Sequence, residues 1–287
     1  MTLTTTYRDH PEFRAWFKNI WPKVPIVLSN DILVESKFGQ GSSAVIGTAF
    51  DYLLRFKIEK LNRRRVQSDI WIAENYYERV RAYEEVREAF SEEQFFHARL
   101  VKKIIKSTRG RLKKYISDDL KLEDLCPDAL LLNTIDVVMR TGMFQEQVGE
   151  INEIYIDELK RMINIIDDNK FRVEKLAVLN PNFGDASSLV GGADADLILD
   201  NTLLDIKTSK NLATKRAMFD QLVAYFMLSK IQGLYEIENI GIYFARFGEI
   251  WLISVDQLFS GHDINSCISS FTDLALALRH KRLPPQP

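Results

Sequence analysis

The stretch "GGADADLILDNTLLDIKTSK" (Gly191–Lys210) places four aspartates and two lysines in an otherwise apolar, strand-forming segment. Asp200 and Asn201 lie between two apolar runs, and this residue pair tolerates the positive φ angles of a tight hairpin turn. A two-residue loop at this point pairs Leu199 with Thr202 and so fixes the register of the ladder. The stretch is therefore predicted to form a β-hairpin.

The predicted register sorts the side chains onto two faces, because successive side chains of a strand point in opposite directions. The core face carries Ala195, Leu197, Leu199, Leu204 and Ile206. The other face carries Asp194, Asp196, Asp205 and Lys207, with Ile198 and Leu203 nearest the turn. On that face Asp196 is expected opposite Asp205, and Asp194 opposite Lys207.

Two carboxylates that face each other across a ladder repel, and this costs stability. A divalent cation between them offsets the repulsion, and hard oxygen ligands suit Mg²⁺. Carboxylates that hold a metal, a metal-bound water and a nearby cation are the parts needed for phosphodiester hydrolysis. The simpler alternative is a solvent-facing strand with incidental charges, which the clustering of the acids on one face disfavours.

Two motifs resemble the PD-(D/E)XK nuclease superfamily and, within it, the RecB-like branch. Asp196 followed by Asp205-Ile206-Lys207 is similar to the metal-binding Asp and the (D/E)-x-K of the superfamily. "QLVAY" in the next predicted helix resembles the Q-x-x-x-Y motif of the branch, at Gln221 and Tyr225. Residues four apart on a helix share one face.

A third segment, "GTAFDYLLRF", resembles the first motif of the branch. Asp51 stands where that motif usually has a His that is directed toward the metal. An acidic residue also serves as a metal ligand, although this departure leaves the role of Asp51 less defined.

The resemblance implies a site that binds Mg²⁺, with Mn²⁺ as a substitute. The implied metal ligands are Asp51, Asp194, Asp196, Asp205 and the backbone carbonyl of Ile206. Either Asp194 or Asp196 is the principal ligand, and the hairpin register favours Asp196. The implied catalytic residues are Asp196, Asp205, Lys207, Gln221 and Tyr225. Substrate contacts are expected from Lys210, Lys215, Arg216, Gln221 and Tyr225. The iron–sulfur cluster of many relatives needs four cysteines, whereas this chain has only Cys126 and Cys267.

The pattern along the chain predicts an α/β fold. We expect a restriction-endonuclease-like core, a mixed central sheet flanked by helices, in a single domain over residues 1–287. A helix is expected after Gly39–Ser43, and charged helical patterns over 66–168 read as a helical insertion. A strand is expected from Phe171, followed by the hairpin, a helix that ends at Gly233, one or two strands around Gly248, and a final helix.

Composition limits the function classes. The net charge of −2 exerts no global attraction for polyanions, so a nucleic-acid site must be local. Two isolated cysteines indicate a reducing compartment. The charged N-terminus is unlike a signal peptide, and no apolar run is long enough for a bilayer. We therefore expect a cytoplasmic protein with no membrane association.

The sequence thus predicts a metal-dependent DNA nuclease in a recombination, repair, phage or defence setting, with exo or endo action undetermined. The alternative is a catalytically silent nuclease-fold module, or an accessory subunit that docks on a helicase through the helical insertion. Two features stay open between a DNA contact and a structural role: the basic run Lys102–Lys114, and Arg246.

Overall fold

The computed structural model describes residues 2–38, 42–68, 71–75, 77–78, 92–141, 148–212 and 215–280. The described chain forms a mixed six-stranded sheet with helices against both faces. This is the α/β architecture that the sequence predicts.

The helices and strands follow one another in a mixed order. The helices are α1 (Leu3–Asp9), α2 (Pro11–Ile20), α3 (Ser42–Asn62), α4 (Glu92–Ile116), α5 (Cys126–Thr141), α6 (Ile154–Asn164), α7 (Lys215–Gln232), α8 (Val255–Leu258) and α9 (Ile264–His280). The strands are β1 (Val66–Ser68), β2 (Ala177–Leu179), β3 (Leu197–Leu199), β4 (Thr202–Lys207), β5 (Asn239–Phe244) and β6 (Glu249–Ser254). None of the helices in the described part of the chain is both long enough and apolar enough to cross a bilayer.

The six strands are hydrogen-bonded in the order in which they occur along the chain. β2, β3 and β4 form an antiparallel meander, β5 pairs parallel to β4, and β6 returns antiparallel to β5. A parallel pair needs a crossover connection, and α7 supplies it between β4 and β5. The outer strand β1 pairs parallel to β2.

The predicted hairpin is confirmed, with Leu199 paired to Thr202 and Leu197 to Leu204. Asp200 has a φ of 53°, as the tight turn requires. Its carboxylate also accepts three backbone N–H bonds at 2.7–3.0 Å from residues 174–176, the segment that leads into β2. These bonds hold the pKa of Asp200 below its ordinary value despite the opposing effect of burial. The turn therefore also anchors the neighbouring strand.

Each face of the sheet has its own apolar core. α3, α4, α5 and α6 pack with Leu197, Leu204 and Ile206 on one face. α2, α7 and α9 pack with Ile198 and Leu203 on the other. Ala195 lies in this second core, contrary to the predicted alternation, because the regular ladder of β3 begins only at Leu197.

Two expectations from sequence differ from the structure. The insertion is not helical at its start, since β1 joins the sheet there. The strand expected from Phe171 is shorter, because 168–171 is a 3₁₀ turn and pairing begins at Ala177. The stretch "VPIVLSNDILV" (Val24–Val34) is compatible in sequence with a short strand or an extended arm, and in the structure it is an extended arm without strand pairing, the N-terminal arm. The predicted helix over 79–91 lies outside the described residues.

A glycine in the middle of the sheet gives a test of this packing. A Cβ on Gly241 in β5 would lie 2.5 Å from the backbone oxygen of Trp251 and 2.4 Å from a Leu252 methyl. Gly241→Ala is expected to lower the free energy of unfolding by about 2–3 kcal/mol, since overpacking of this kind displaces backbone.

Gly110→Ala is the matched control. Gly110 lies within α4, and a Cβ there would meet nothing within 4 Å. It should raise stability by about 0.5–1 kcal/mol through helix propensity. Urea unfolding of the two variants measures both effects, and equal stability of the two would contradict the described packing of β5.

Candidate functional site

The candidate site lies where the end of β4 meets α7. In α7, every residue from Met218 to Ser229 except Gln221 is buried. A helix that is apolar on all sides is covered on all sides. α7 packs against β4 and covers part of the polar face of the hairpin, so that Asp205 is buried while Asp194 remains exposed.

Four of the predicted catalytic side chains form one chain of contacts. Lys207 Nζ lies 2.5 Å from Oδ2 of Asp205. The same ammonium donates a hydrogen bond to Gln221 Oε1 at 3.0 Å. Gln221 Nε2 in turn donates to the Tyr225 hydroxyl at 2.9 Å. The two residues of Q-x-x-x-Y thus meet the lysine of D-x-K through Gln221.

Asp196 joins this group through the backbone. Its Oδ2 accepts the N–H of Ile206 at 2.6 Å, so the two hairpin strands stay connected beyond the last regular pair. The Asp196 carboxylate also reaches the side chain of Asp205, as the register predicts. Asp194 is exposed, and its backbone forms an isolated antiparallel β-bridge with that of Asn182.

The segment Asn180–Phe183 ("NPNF") lies alongside Asp194 and Asp196, and from sequence it carries little weight, as a loop leading into the hairpin. Asn180 N–H donates to the carbonyl of Asp196 at 2.9 Å. The Phe183 ring stacks on Tyr225, with centroids 5.8 Å apart. The apolar residue after the Asn-Pro-Asn turn was the only signal in the sequence. This segment forms one wall of the site.

Asp205 has the most perturbed environment in the group, with 2 % of its surface exposed. Burial raises the pKa of Asp205 from its ordinary 3.8 to about 7, and the Asp196 carboxylate adds to the rise, while Lys207 opposes it. Its Oδ2 accepts no hydrogen bond of regular geometry.

The other two titratable groups stay protonated. Burial acts to lower the pKa of Lys207, but the charges of Asp205 and Asp196 outweigh it, and the net pKa is raised. Burial and the charge of Asp205 raise the pKa of Tyr225 well above its usual value. Lys207 is therefore a fixed cation, and Tyr225 a neutral hydroxyl.

The residues present fit a hard divalent cation in part. Asp196 and Asp205 present carboxylates side by side, the hard oxygen ligands that Mg²⁺ prefers, while Lys207 lies 2.5 Å from Oδ2 of Asp205. The described residues contain no group of three or more His, Cys, Asp or Glu side chains arranged to hold a metal. Mg²⁺ typically binds one or two carboxylates and keeps several waters, so two carboxylates and a carbonyl such as that of Ile206 satisfy its minimum.

Asp51, the third predicted carboxylate ligand, is engaged elsewhere. It forms an ion pair with Arg55, one turn further along α3. Its own helix packs on the opposite face of the sheet from Lys207 and Gln221. α3 does approach the site, since a Cβ on Gly47 would lie 3.1 Å from Thr208 Oγ1. The metal-binding role of Asp51 stays a prediction.

The three predicted phosphate contacts differ in environment. Lys210 and Lys215 line an open cleft of about 700 Å³ between the N-terminal arm and the loop after β4. Arg216 is instead bound within the protein: it forms an ion pair with buried Asp220 at 2.8 Å and donates to the carbonyl of Trp21 at 2.5 Å. The cleft lysines are therefore better placed than Arg216 for a substrate.

Arg246 has the structural role that sequence left open. It is 2 % exposed, forms an ion pair with Glu158 of α6 and donates to the carbonyl of Thr208 at 2.5 Å. It also donates to the carbonyl of Val34 at 3.2 Å. Arg246 thus ties the residue after Lys207 to the helical insertion and to the N-terminal arm.

Compared with known proteins, the chain matches no family model, no curated protein and no solved structure.

The raised pKa of Asp205 predicts a pH-dependent stability. The folded state holds the Asp205 proton more tightly than the unfolded chain, so this contribution is complete below about pH 4. It is lost as the pH rises toward about 7. In metal-free buffer, the unfolding free energy of the wild type should fall over this window relative to that of Asp205→Asn.

The Asn variant is a suitable reference because its amide has the shape of a protonated carboxyl and does not ionise. Urea unfolding at intervals between pH 4 and pH 8 gives the difference. A constant difference across the window would show that Asp205 is not perturbed by burial.

Proposed function

We propose that the protein is a metal-dependent nuclease that hydrolyses phosphodiester bonds of DNA. The observation that supports it is the contact chain Asp205–Lys207–Gln221–Tyr225 beside Asp196. This chain joins the (D/E)-x-K and Q-x-x-x-Y motifs into one site. A solvent-facing strand with incidental charges does not account for a lysine that contacts both a buried carboxylate and a glutamine of the helix above it. The mixed sheet flanked by helices agrees with the restriction-endonuclease-like core that the resemblance implies.

Each residue of the site has a separate role in such a reaction. Asp196, Asp205 and the carbonyl of Ile206 would hold the cation, which lowers the pKa of a bound water and neutralises charge on the phosphate. Lys207 stays protonated and is positioned to stabilise charge that develops on the phosphate oxygens. Gln221 fixes the direction of Lys207, and Tyr225, stacked on Phe183, fixes Gln221.

A substrate strand would reach this site through the cleft that Lys210 and Lys215 line. Lys210 and Lys215 follow Lys207 in sequence and line the cleft beside the N-terminal arm. Phosphate contacts from such lysines position a nucleic acid without reading its sequence. We therefore assign Lys210 and Lys215 to the binding of the strand, and keep Arg216 as a fixed part of the scaffold.

The direct test uses linear and circular DNA, single- and double-stranded, with Mg²⁺ or Mn²⁺. Wild-type protein should cleave at least one substrate, and Lys207→Ala should lower the rate by at least about 100-fold, as loss of a single transition-state donor does. Lys175→Ala is the control, because Lys175 is an exposed lysine beside the turn at the other end of the hairpin. Full activity of Lys207→Ala, or no cleavage by wild type, would refute the proposal.

Two observations favour the second candidate, which is a silent nuclease-fold module or an accessory subunit of a helicase complex. Asp51 is paired with Arg55, and the described residues gather no group of three acidic or imidazole ligands. In that case the Asp205–Lys207 pair would serve stability alone. The insertion that Arg246 fixes to the core would then be the docking surface.

Metal binding separates the two candidates. Calorimetric titration with Mn²⁺ should show binding to the wild type, and Asp205→Asn should weaken it at least about tenfold, because the variant lacks one anionic ligand. Asp220→Asn is a control for loss of a buried carboxylate, since Asp220 is bound to Arg216 and Tyr7. Absence of Mn²⁺ binding by the wild type would favour the silent module.

A further inference from the structure

The helix α4 carries a dense positive charge. Between positions 99 and 114 the sequence has eight basic residues and no Asp or Glu. They are Arg99, Lys102, Lys103, Lys106, Arg109, Arg111, Lys113 and Lys114. In a chain whose net charge is −2, this run is an exception. The predicted site does not use it.

The structure separates the basic residues of α4 into neutralised and unneutralised ones. Arg109 is bound to Glu74 at 2.7 Å, and Arg111 to Asp128 at 2.8 Å. Lys103, Lys106, Lys113 and Lys114 are exposed, and the described residues supply no acidic partner to any of them. These four lysines, which we call the α4 lysine stripe, lie on one side of the helix at spacings of three, seven and one.

From Lys103 to Lys114, the exposed residues of α4 other than these lysines are small and uncharged. Ser107 and Gly110 lie between the lysines, and a Cβ at Gly110 would meet open space. Small residues at these positions let a ligand approach the helix backbone closely. From Lys103 to Lys114 the stripe extends about 16 Å, a length over which duplex DNA carries roughly ten phosphates.

The stripe is not explained by helix stability. Lys113 and Lys114 lie in the last turn of α4, where cations interact favourably with the helix dipole. Lys103 and Lys106 lie far from that end, where this effect has faded. Lys103 and Lys106 are three residues apart on one face, so their like charges repel, and an anionic partner would relieve this repulsion.

The stripe fits a nucleic acid better than a membrane. A helix that lies in a membrane surface needs an apolar face for the lipid. The apolar face of α4 is already used, because Val101, Ile104, Leu112 and Tyr115 pack into the core. Between Val101 and Lys114 the exposed residues of α4 are lysines and the small residues Ser107 and Gly110.

From this arrangement the geometry points to the α4 lysine stripe as a docking surface for the phosphate backbone of duplex DNA. It lies on the insertion side of the sheet, whereas the contact chain of the candidate site lies on the α7 side. It extends the proposed nuclease by assigning a duplex-binding role to the insertion. The binding itself needs no metal and no cleavage.

The test measures binding of a labelled duplex of about 30 base pairs in EDTA, by fluorescence anisotropy at several salt concentrations. In the stripe variant, Lys103, Lys106, Lys113 and Lys114 are all changed to Gln. We expect at least a tenfold loss of affinity at about 0.1 M salt. The slope of log K against log salt should fall by about three to four, since each lost phosphate contact removes about 0.9.

The control variant removes the same number of charges elsewhere on the surface. In it the exposed lysines at four other positions are changed to Gln: Lys18, Lys23, Lys175 and Lys230. Its affinity should change less than twofold. Thermal unfolding confirms that both variants fold.

Three results would overturn the inference: no duplex binding by the wild type at low salt, equal losses in the two variants, or stripe-dependent binding to anionic lipid vesicles with unchanged duplex binding. None of these results depends on cleavage. If duplex binding requires the stripe while no substrate is ever cut, the inference stands and the proposed nuclease activity fails. If the protein cleaves DNA but duplex binding does not depend on the stripe, the proposed nuclease activity stands and the inference fails.

Discussion

The arrangement around β4 depends on the buried carboxylate of Asp205. A charge in this position is expensive, and burial alone would keep the group protonated. Lys207 is directed onto it at 2.5 Å, two residues further along the same strand face. That lysine in turn takes a polar partner from the helix above, and Gln221 of the largely apolar α7 supplies it. One buried acid thus accounts for the polar residues of a strand and of a helix that are distant in sequence.

The buried ion pair between Arg246 and Glu158 fixes the end of β4 from the opposite face of the sheet. Arg246 and Glu158 are both almost fully buried, and Arg246 also donates to the carbonyl of Thr208. Removing one partner of such a pair leaves an uncompensated charge in the core, which costs about 3–5 kcal/mol. The helical insertion is therefore part of the core that holds Lys207 in place, and the position of β4 depends on residues about fifty positions upstream.

The sequence predicted the hairpin because its signals agree: alternating apolar residues, a turn pair that accepts positive φ, and acids confined to one face. It did not predict that α7 buries Asp205 on this face, although α7 carries almost no amphipathic pattern and a helix without a polar face is expected to be buried. The role of Asp200 was also larger than its turn position suggested, since backbone groups of 174–176 bind its carboxylate. Pairings of this kind join residues that no local pattern connects. For the same reason, the sequence motif placed Asp51 at a metal, while its nearest cation in the fold is Arg55.

The two lysine environments of this chain show why net charge says little about function. Lys207 lies between carboxylates in a low-dielectric site, where its charge is fixed and directed at one point. The lysines of α4 lie in solvent, and each acts weakly and is screened by salt. A directed cation suits a single developing charge in a reaction, whereas several weak cations in a row suit the repeated charges of a phosphate backbone. The first kind is built by tertiary packing and cannot be read from composition. The second is visible in the sequence as a run without acids, but only the structure shows that Glu74 and Asp128 neutralise two of its arginines and leave the lysines exposed.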